Sequence, residues 1–145
     1  MVYFSNEQGC SVTGYRLDPA TGTLTAGQTL TTLPEGYTAR NTCSQIHLTA
    51  SGHFLYVGNR GHNSLAGFAV DAATGRLTAL GHVATEAVPG AFGLDPEGHF
   101  VFAVGTASGR LASYRINGET GALTPLATYA VGQRPMGVLV TRLGD

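Results

Sequence analysis

The chain has 145 residues, of which 43% are hydrophobic, and its formal net charge at pH 7 is −1, values typical of one folded domain and not of a disordered chain. Lysine is absent and the eight cations are scattered arginines, so no basic patch for nucleic acid or acidic lipid is predicted. No apolar run reaches the roughly 18 residues of a membrane span, and the N-terminus has no signal-peptide pattern, so a cytoplasmic protein without membrane contact is expected.

The first predicted strand covers residues 2–6 (VYFSN) and is followed by Glu7. The equivalent positions in later repeats are Arg60 and Thr106, so this position varies while the strand before it is maintained. A variable position on a constant scaffold can carry function. An exposed loop charge is the alternative, and the sequence leaves both open.

The next feature is the irregular connection LPEGYTARNTC, residues 33–43. Its Tyr37 and Arg40 could reach over a central pocket or could be solvated loop residues.

The central unit, residues 45–83, contains four predicted strands. Residues 45–49 alternate between apolar and polar, which is typical of a strand with two different faces. The run FLYVGN at 54–59 is almost wholly apolar, which predicts a strand buried on both faces. Residues 64–71 and 76–83 are predicted to form two more strands, joined by a turn in which Gly75 can take the positive φ that a hairpin needs.

Turn sequences of this unit recur along the chain, which indicates the fold. LTASGHF at 48–54 returns 46 residues later as LDPEGHF, and TGRLT at 74–78 returns as TGALT at the same offset. Upstream, TGTLT at 21–25 is the same turn. Four strands per unit, a period in the forties and no helical periodicity favour an all-β protein, a β-propeller with about three four-stranded antiparallel blades. A plain β-sandwich also has short strands at regular spacing, but sandwiches do not repeat their turn sequences.

Both ends of the chain correspond to incomplete blades. Residues 2–6 match the second strand of the central unit, and residues 136–140 (MGVLV) match a first strand. The predicted blades are therefore 44–86, 90–132 and a split blade formed by 1–33 plus 134–142. A ring of three blades is too tight to close, since propellers use four to eight. The chain is predicted to be a fragment of a larger propeller or a half-ring that a homo-oligomer completes.

His47 is the first candidate for chemistry in the central unit, because it lies in the innermost strand, whose equivalent positions hold Gly93 and Leu139. Innermost strands line the channel of a propeller, and a neutral imidazole can act as a general base. A histidine satisfied by hydrogen bonds between blades is the alternative.

Several charged residues are candidates for binding. Arg60 ends the second strand of the central unit and presents a fork of donors suited to a phosphate or carboxylate. Glu86 lies in the crossing to the next blade, and Arg134 precedes the last innermost strand. Cys10 and Cys43 form no CxxC pair and the five histidines do not cluster, so free buried thiols and no metal or cofactor are expected.

Taken together, the segments IHLTASGHFLYVGNRGHNS, FGLDPEGHF and YAVGQRPM, with Glu86, Pro89 and Phe92 at a blade crossing, carry a family resemblance. The chain resembles the seven-bladed propeller lactonases typified by bacterial 6-phosphogluconolactonase, a superfamily that includes the fungal carboxy-muconate cyclases. The resemblance runs almost end to end but covers only the C-terminal three-sevenths of the family.

The resemblance implies hydrolysis of a sugar lactone without a metal. It implies that His47 or Glu7 activates water and that Arg60 or Arg40 holds a phosphate or the oxyanion. The sequence departs from the family at Gly90 and Gly137, where an Arg and a Trp are usual. A non-catalytic segment that binds a ligand or partner, and a cyclase using His47 and Glu7, are the other functions considered.

Overall fold

The structure, a computed structural model, describes residues 1–143. All of its regular elements are strands: β1 (Val2–Asn6), β2 (Ser11–Leu17), β3 (Leu24–Thr31), β4 (Cys43–Leu48), β5 (Phe54–Asn59), β6 (Ser64–Val70), β7 (Leu77–Ala84), β8 (Pro89–Leu94), β9 (Phe100–Gly105), β10 (Arg110–Ile116) and β11 (Leu123–Ala130). The part of the chain that the structure describes contains no helix able to cross a membrane.

The strands form three antiparallel sheets, which we call the first, middle and third blades. The first blade has the order β1-β2-β3, the middle blade β4-β5-β6-β7 and the third blade β8-β9-β10-β11. In the two four-stranded blades, each strand therefore pairs with its neighbours in sequence. The predicted all-β propeller architecture is confirmed, and the predicted strands of the central unit match within two residues at each end.

Two hydrophobic clusters hold the blades together, and both use the middle blade. On one side Leu55 and Phe68 pack towards Val12 of the first blade. On the other side Tyr56 and Leu65 pack against Phe92 and other residues of the third blade. Because successive residues of a strand point to opposite faces, β5 contributes to both clusters, and all six of its residues are buried.

A repeated hydrogen bond also joins adjacent blades. The Tyr3 hydroxyl donates to the Gly75 carbonyl at 2.6 Å, and the Tyr56 hydroxyl donates to the Gly121 carbonyl at 2.7 Å. In each case a tyrosine of a second strand reaches the outer turn of the next blade; we call this contact the tyrosine latch. The equivalent residue of the third blade is Phe102, which has no hydroxyl.

Aspartates that directly follow β2 and β6 cap the outer turns. An Asp18 oxygen accepts from the Ala20 amide at 2.9 Å, and an Asp71 oxygen accepts from the Thr74 amide at 2.7 Å. Hydrogen bonds from Ala20 and from the Thr74 hydroxyl, respectively, lower the pKa of the Asp18 and Asp71 carboxyls below the ordinary value.

The strand predicted at 136–140 does not form. Residues 131–143 contain no strand, although Val138 lies against β8, with its carbonyl oxygen 3.2 Å from the place of a Gly93 Cβ. A strand needs a hydrogen-bonded neighbour. The predicted neighbour is β1, but β1, β4 and β8 lie side by side in that order, so β4 and β8 separate β1 from residues 136–140. A single chain therefore does not bring the two parts of the split blade together.

Candidate functional site

Except for His47, the residues predicted for catalysis or binding lie on one face of the blades. This upper face consists of the β1–β2, β5–β6 and β9–β10 hairpins and the crossings between blades. Hydrogen bonds join its loops: the Cys43 amide donates to the Glu7 carbonyl at 2.9 Å, and the Val88 amide donates to the Asn63 side chain at 2.8 Å. Because strands alternate in direction, every second turn returns to this face.

Glu7 and Arg60 are brought together there. Arg60 Nη1 lies 3.3 Å from Glu7 Oε1 and 3.4 Å from Thr42 Oγ1, and it also donates to the Cys43 carbonyl. All of these contacts, within the described residues, run through Nη1. The edge formed by Nε and Nη2 therefore remains suited to a two-point contact with an anion.

Glu86 pairs with an arginine that sequence reasoning did not select. Arg110 Nε lies 3.5 Å from Glu86 Oε1, and the Glu86 side chain retains only 19% of its exposure. Arg110 was missed because nothing in either segment of the sequence shows that the crossing and the β9–β10 hairpin meet.

Arg134 and Arg40 are both exposed on the upper face. Arg134 has a φ of 51°, a left-handed conformation that is uncommon for a residue other than glycine and is seen at functional sites. It lines a groove beside Thr106 and Gly109. Arg40 is positioned through its backbone, since its carbonyl accepts from the Tyr37 hydroxyl at 3.4 Å.

His47 lies elsewhere, one residue before the lower end of β4. Its ring packs edge-to-face on Phe92 of the third blade, with ring centroids 4.7 Å apart, and its Nε2 lies 3.3 Å from Gln45 Oε1. The Phe92 amide donates to the same Gln45 oxygen at 3.1 Å, so this atom is an acceptor and His47 Nε2 is its donor. Burial lowers the pKa of His47, with a smaller opposing effect from the Phe92 backbone.

The two predicted catalytic residues are therefore not brought together. Cys43, at the upper end of β4, bonds to the Glu7 backbone, and His47 lies four residues further along the same strand. At roughly 3.3 Å per residue, this places His47 about 13 Å below the level of Glu7. One water molecule cannot contact both side chains.

A buried polar network supports the upper face, and sequence reasoning missed it. Asn59 Oδ1 accepts from Thr32 Oγ1 at 2.9 Å and from Asn41 Nδ2 at 3.1 Å, while Asn59 Nδ2 donates to the Thr32 carbonyl at 2.6 Å. Asn41 Oδ1 in turn accepts from the Gly61 and His62 amides. The satisfied groups fix the long 33–43 connection and hence the backbone of Arg40. In the sequence, the only sign of this network is Asn59, a polar residue at the end of an otherwise apolar strand.

One cluster in the described residues has the composition of a metal site. The side chains of Asp95, Glu97 and His99 approach within 4.8 Å of one another in the β8–β9 turn. The Asp95 carboxylate already accepts hydrogen bonds from the His99 and Phe100 amides, and Glu97 pairs with Arg142. These contacts are those of a stabilised turn.

Comparison with known proteins places the chain among lactonases. Residues 1–140 match the family described as "Lactonase, 7-bladed beta-propeller". The 6-phosphogluconolactonase of Pectobacterium carotovorum is 41% identical over 141 residues, which cover 97% of this chain and 42% of that protein. The 6-phosphogluconolactonase of Bacillus subtilis is 35% identical over 95 residues, covering 65% of this chain and 27% of its own length. The chain thus spans about two fifths of the length of the first of these relatives.

Solved structures give the same result. A protein from Lactobacillus plantarum superimposes with a TM-score of 0.88 and 34% identity, covering 93% of this chain and 40% of that one. A periplasmic gluconolactonase from Pseudomonas aeruginosa superimposes with a TM-score of 0.84 and 29% identity, covering 90% and 37%. The resemblance predicted from the sequence is confirmed.

Proposed function

The chain belongs to the seven-bladed β-propeller lactonase family, and on that premise we propose that it forms part of an enzyme that hydrolyses a sugar lactone such as 6-phosphogluconolactone. Curated relatives that cover almost the whole chain carry the name 6-phosphogluconolactonase. Because the chain spans 42% of the first of them, the proposed activity is that of a ring to which these blades contribute. In the proposed reaction, side chains of the protein act on the lactone and on a water molecule.

We assign His47 as the base that activates water. Its lowered pKa keeps the ring unprotonated at neutral pH, and donation from Nε2 to Gln45 leaves the lone pair on Nδ1. Water would lose a proton to Nδ1 as its oxygen bonds to the lactone carbonyl carbon. The ring C–O bond then breaks, and the departing oxygen takes the proton back to give the hydroxy acid.

Glu7 and Arg60 are assigned to substrate binding, because Glu7 already carries the Arg60 ion pair and lies about 13 Å from His47 along the strand direction. The free edge of Arg60 would hold a phosphate or carboxylate, with Glu7 fixing the guanidinium. We propose that Arg40, Arg134 and Glu86 complete the binding surface of the upper face.

Lactone hydrolysis above the spontaneous background tests this assignment. His47→Gln is expected to lower kcat about 10²-fold or more, because a general base typically contributes that much. His53→Gln, in an exposed turn, is the matched control and should leave the rate unchanged. Full activity in His47→Gln would remove His47 from the mechanism.

A comparison of two substrates tests the anion contact. Arg60→Gln should raise KM for 6-phosphogluconolactone at least tenfold while leaving KM for unphosphorylated gluconolactone almost unchanged. An equal loss with both substrates would mean that Arg60 acts on the shape of the loop and not on the phosphate.

A non-catalytic, ligand-binding segment is the second candidate. The separation of His47 from Glu7, and the glycines at 90 and 137 where the family resemblance implies an Arg and a Trp, favour it. It would bind a phosphorylated sugar acid without turnover, and Arg60→Gln would abolish that binding. A cyclase passing a proton between His47 and Glu7 is not supported, since the two side chains are too far apart.

A further inference from the structure

A groove lies between the first and middle blades on the outer, lower side of the molecule, away from the upper face. Its volume is about 690 Å³, within the roughly 300–1,000 Å³ of small-molecule sites. Strands β2 and β3 form one wall, and the turn before β7 forms the other. We call it the joint groove, the contact between the first and middle blades the first joint, and the contact between the middle and third blades the second joint.

Two arginines line the joint groove, one on each wall. Arg16 lies near the end of β2, and Arg76 lies in the turn before β7. Arg16 is on the same face of β2 as Val12, which is buried against the middle blade. Within residues 1–143, neither guanidinium forms an ion pair, and none of the residues that line the groove is acidic. The groove therefore carries two uncompensated positive charges.

The second joint shows that the fold does not need these charges. In the repeat alignment, the residues equivalent to Arg16 and Arg76 are Ala69 and Ala122. The latch tyrosine, the outer turn and the antiparallel pairing of the two outer strands are nevertheless the same at both joints. Alanine therefore meets the structural requirement at both positions, and the two arginines of the first joint are available for binding.

The second joint is also filled where the joint groove is open. Leu80, the bulged residue of β7, reaches the outer turn of the third blade, with a methyl carbon 2.8 Å from the place of a Gly121 Cβ. Its equivalent in the first blade is Gly27, which has no side chain. The corresponding space at the second joint is only about 160 Å³. Glycine in place of leucine therefore opens the first joint to a ligand.

The two walls of the joint groove are held at a fixed spacing. Gln28 Nε2 donates to the Leu77 carbonyl at 3.0 Å, and the Leu77 amide donates to Gln28 Oε1 at 2.9 Å. The equivalent of Gln28 at the second joint is Gly81, so this pair of hydrogen bonds belongs to the first joint alone. Thr25 pairs with Arg16 across β2 and β3, so their side chains share a face of the sheet. The groove is thus preorganised, which lowers the cost of binding.

We propose that the joint groove binds a phosphate monoester of a small organic molecule, with Arg16 and Arg76 contacting the phosphate from opposite walls. Two guanidiniums suit a phosphate group, which carries close to two negative charges and presents three acceptor oxygens. The Thr25 hydroxyl can donate a further hydrogen bond from the Arg16 wall. The ligand joins the first blade to the middle blade. This site is separate from Arg60 on the upper face, and the proposal does not depend on the reaction.

Calorimetric titration of the purified chain tests the binding. The probes are inorganic phosphate and glucose 6-phosphate, and glucose is the uncharged control. In the Arg60→Gln variant, which lacks the proposed upper-face contact, one molecule of glucose 6-phosphate should bind, inorganic phosphate should compete with it, and glucose should not bind. If Arg60→Gln binds neither phosphate compound at millimolar concentration, the joint groove is not a phosphate site. That outcome would leave the proposed lactonase function untouched.

Substitution of each wall then asks whether both arginines contact the phosphate. Arg16→Ala and Arg76→Ala give each position the residue of the second joint, so both variants should fold. Each should weaken binding at least tenfold in the Arg60→Gln background, because a charge-assisted contact is lost. Arg115→Ala is the matched control, since Arg115 is the exposed third-blade equivalent of Arg16 and lies over the Phe100 ring at 5.0 Å. Unchanged affinity in Arg16→Ala or Arg76→Ala, or an equal loss in Arg115→Ala, would refute the site.

Chemical protection locates the site without changing the sequence. Phenylglyoxal modifies exposed arginine side chains, and mass spectrometry of peptides reports each arginine separately. Saturating glucose 6-phosphate should protect Arg16 and Arg76, whereas Arg115 should be modified equally with and without it. Modification of Arg16 or Arg76 at an unchanged rate under saturating ligand would contradict the proposed contact.

Discussion

The middle blade and the first blade are built from the same repeat, yet their burial differs sharply. Every residue of β5 is buried, whereas none of β1, the equivalent strand, is fully buried. The sequences FLYVGN and VYFSN share their pattern, so the difference comes from what lies on each side. A propeller strand is stabilised by packing against the blades on both of its sides, and its sequence carries apolar residues on both faces for this packing.

The largest expected effect on stability comes from comparing Phe68 with Tyr15, the equivalent residue of the first blade. Phe68→Ala should destabilise the protein by about 3–5 kcal/mol, because the ring is 1% exposed and its loss leaves a cavity between blades. Tyr15→Ala, at the same position of the first blade, should cost less than about 2 kcal/mol, since Tyr15 packs mainly on Phe4 at 5.4 Å. Urea unfolding measures both. Equal costs would contradict the contrast between the two blades.

The tyrosine latches offer a smaller and finer comparison. Tyr56→Phe should cost about 1 kcal/mol, because it removes a buried hydrogen bond to Gly121 without changing packing. Tyr3→Phe should cost less, because its bond to Gly75 is only partly buried. Thermal unfolding of the two variants gives the order. A larger loss for Tyr3 would mean that the first joint, and not the second, holds the array together.

The pH dependence of stability tests the joint between the middle and third blades. His47 has a lowered pKa in the folded chain, so the unfolded chain binds a proton first as the pH falls below about 6.5. The free energy of unfolding should therefore decrease from pH 7.5 to pH 5.5 and be independent of His47 above this range. His47→Gln should reduce the slope. His62 contributes in the same direction, because burial lowers its pKa as well. An unchanged slope in His47→Gln would place that ring in solvent.

The smallest effect is expected at the upper edge of the first joint. Glu7→Gln should change stability by no more than about 0.5 kcal/mol, because the Glu7 side chain is 63% exposed and water screens its pair with Arg60. A larger loss in urea unfolding would show that water screens the pair less than the exposure of Glu7 indicates.

The fold was predictable because propeller strands and turns are encoded locally. Alternation in 45–49, the apolar run 54–59 and the Thr-Gly turns each follow from their own residues. The unformed strand at 136–140 shows the limit of this reasoning, since its residues are suitable but its pairing partner lies at the far end of the row. Local preference cannot supply a missing neighbour.

The site was less predictable, for two physical reasons. Pairs such as Glu86 with Arg110 depend on which loops meet, and no period in the sequence records this. The separation of His47 from Glu7 was accessible in principle, because strand direction alone places a residue near the end of a first strand far from a residue that follows a second strand. Both residues were predicted from their place around the channel, and their positions along the channel axis were not considered.

The tyrosine latch has a consequence for how such chains can change. Its donor lies on one blade and its acceptor is a main-chain oxygen on the next, so the acceptor does not depend on the side chain at the receiving turn. A blade with the same turn can therefore accept this hydrogen bond from any neighbouring blade that carries the tyrosine. Duplication, deletion or recombination at blade boundaries would therefore preserve the coupling without compensating mutations, and the size of the ring is free to vary while each repeat stays intact.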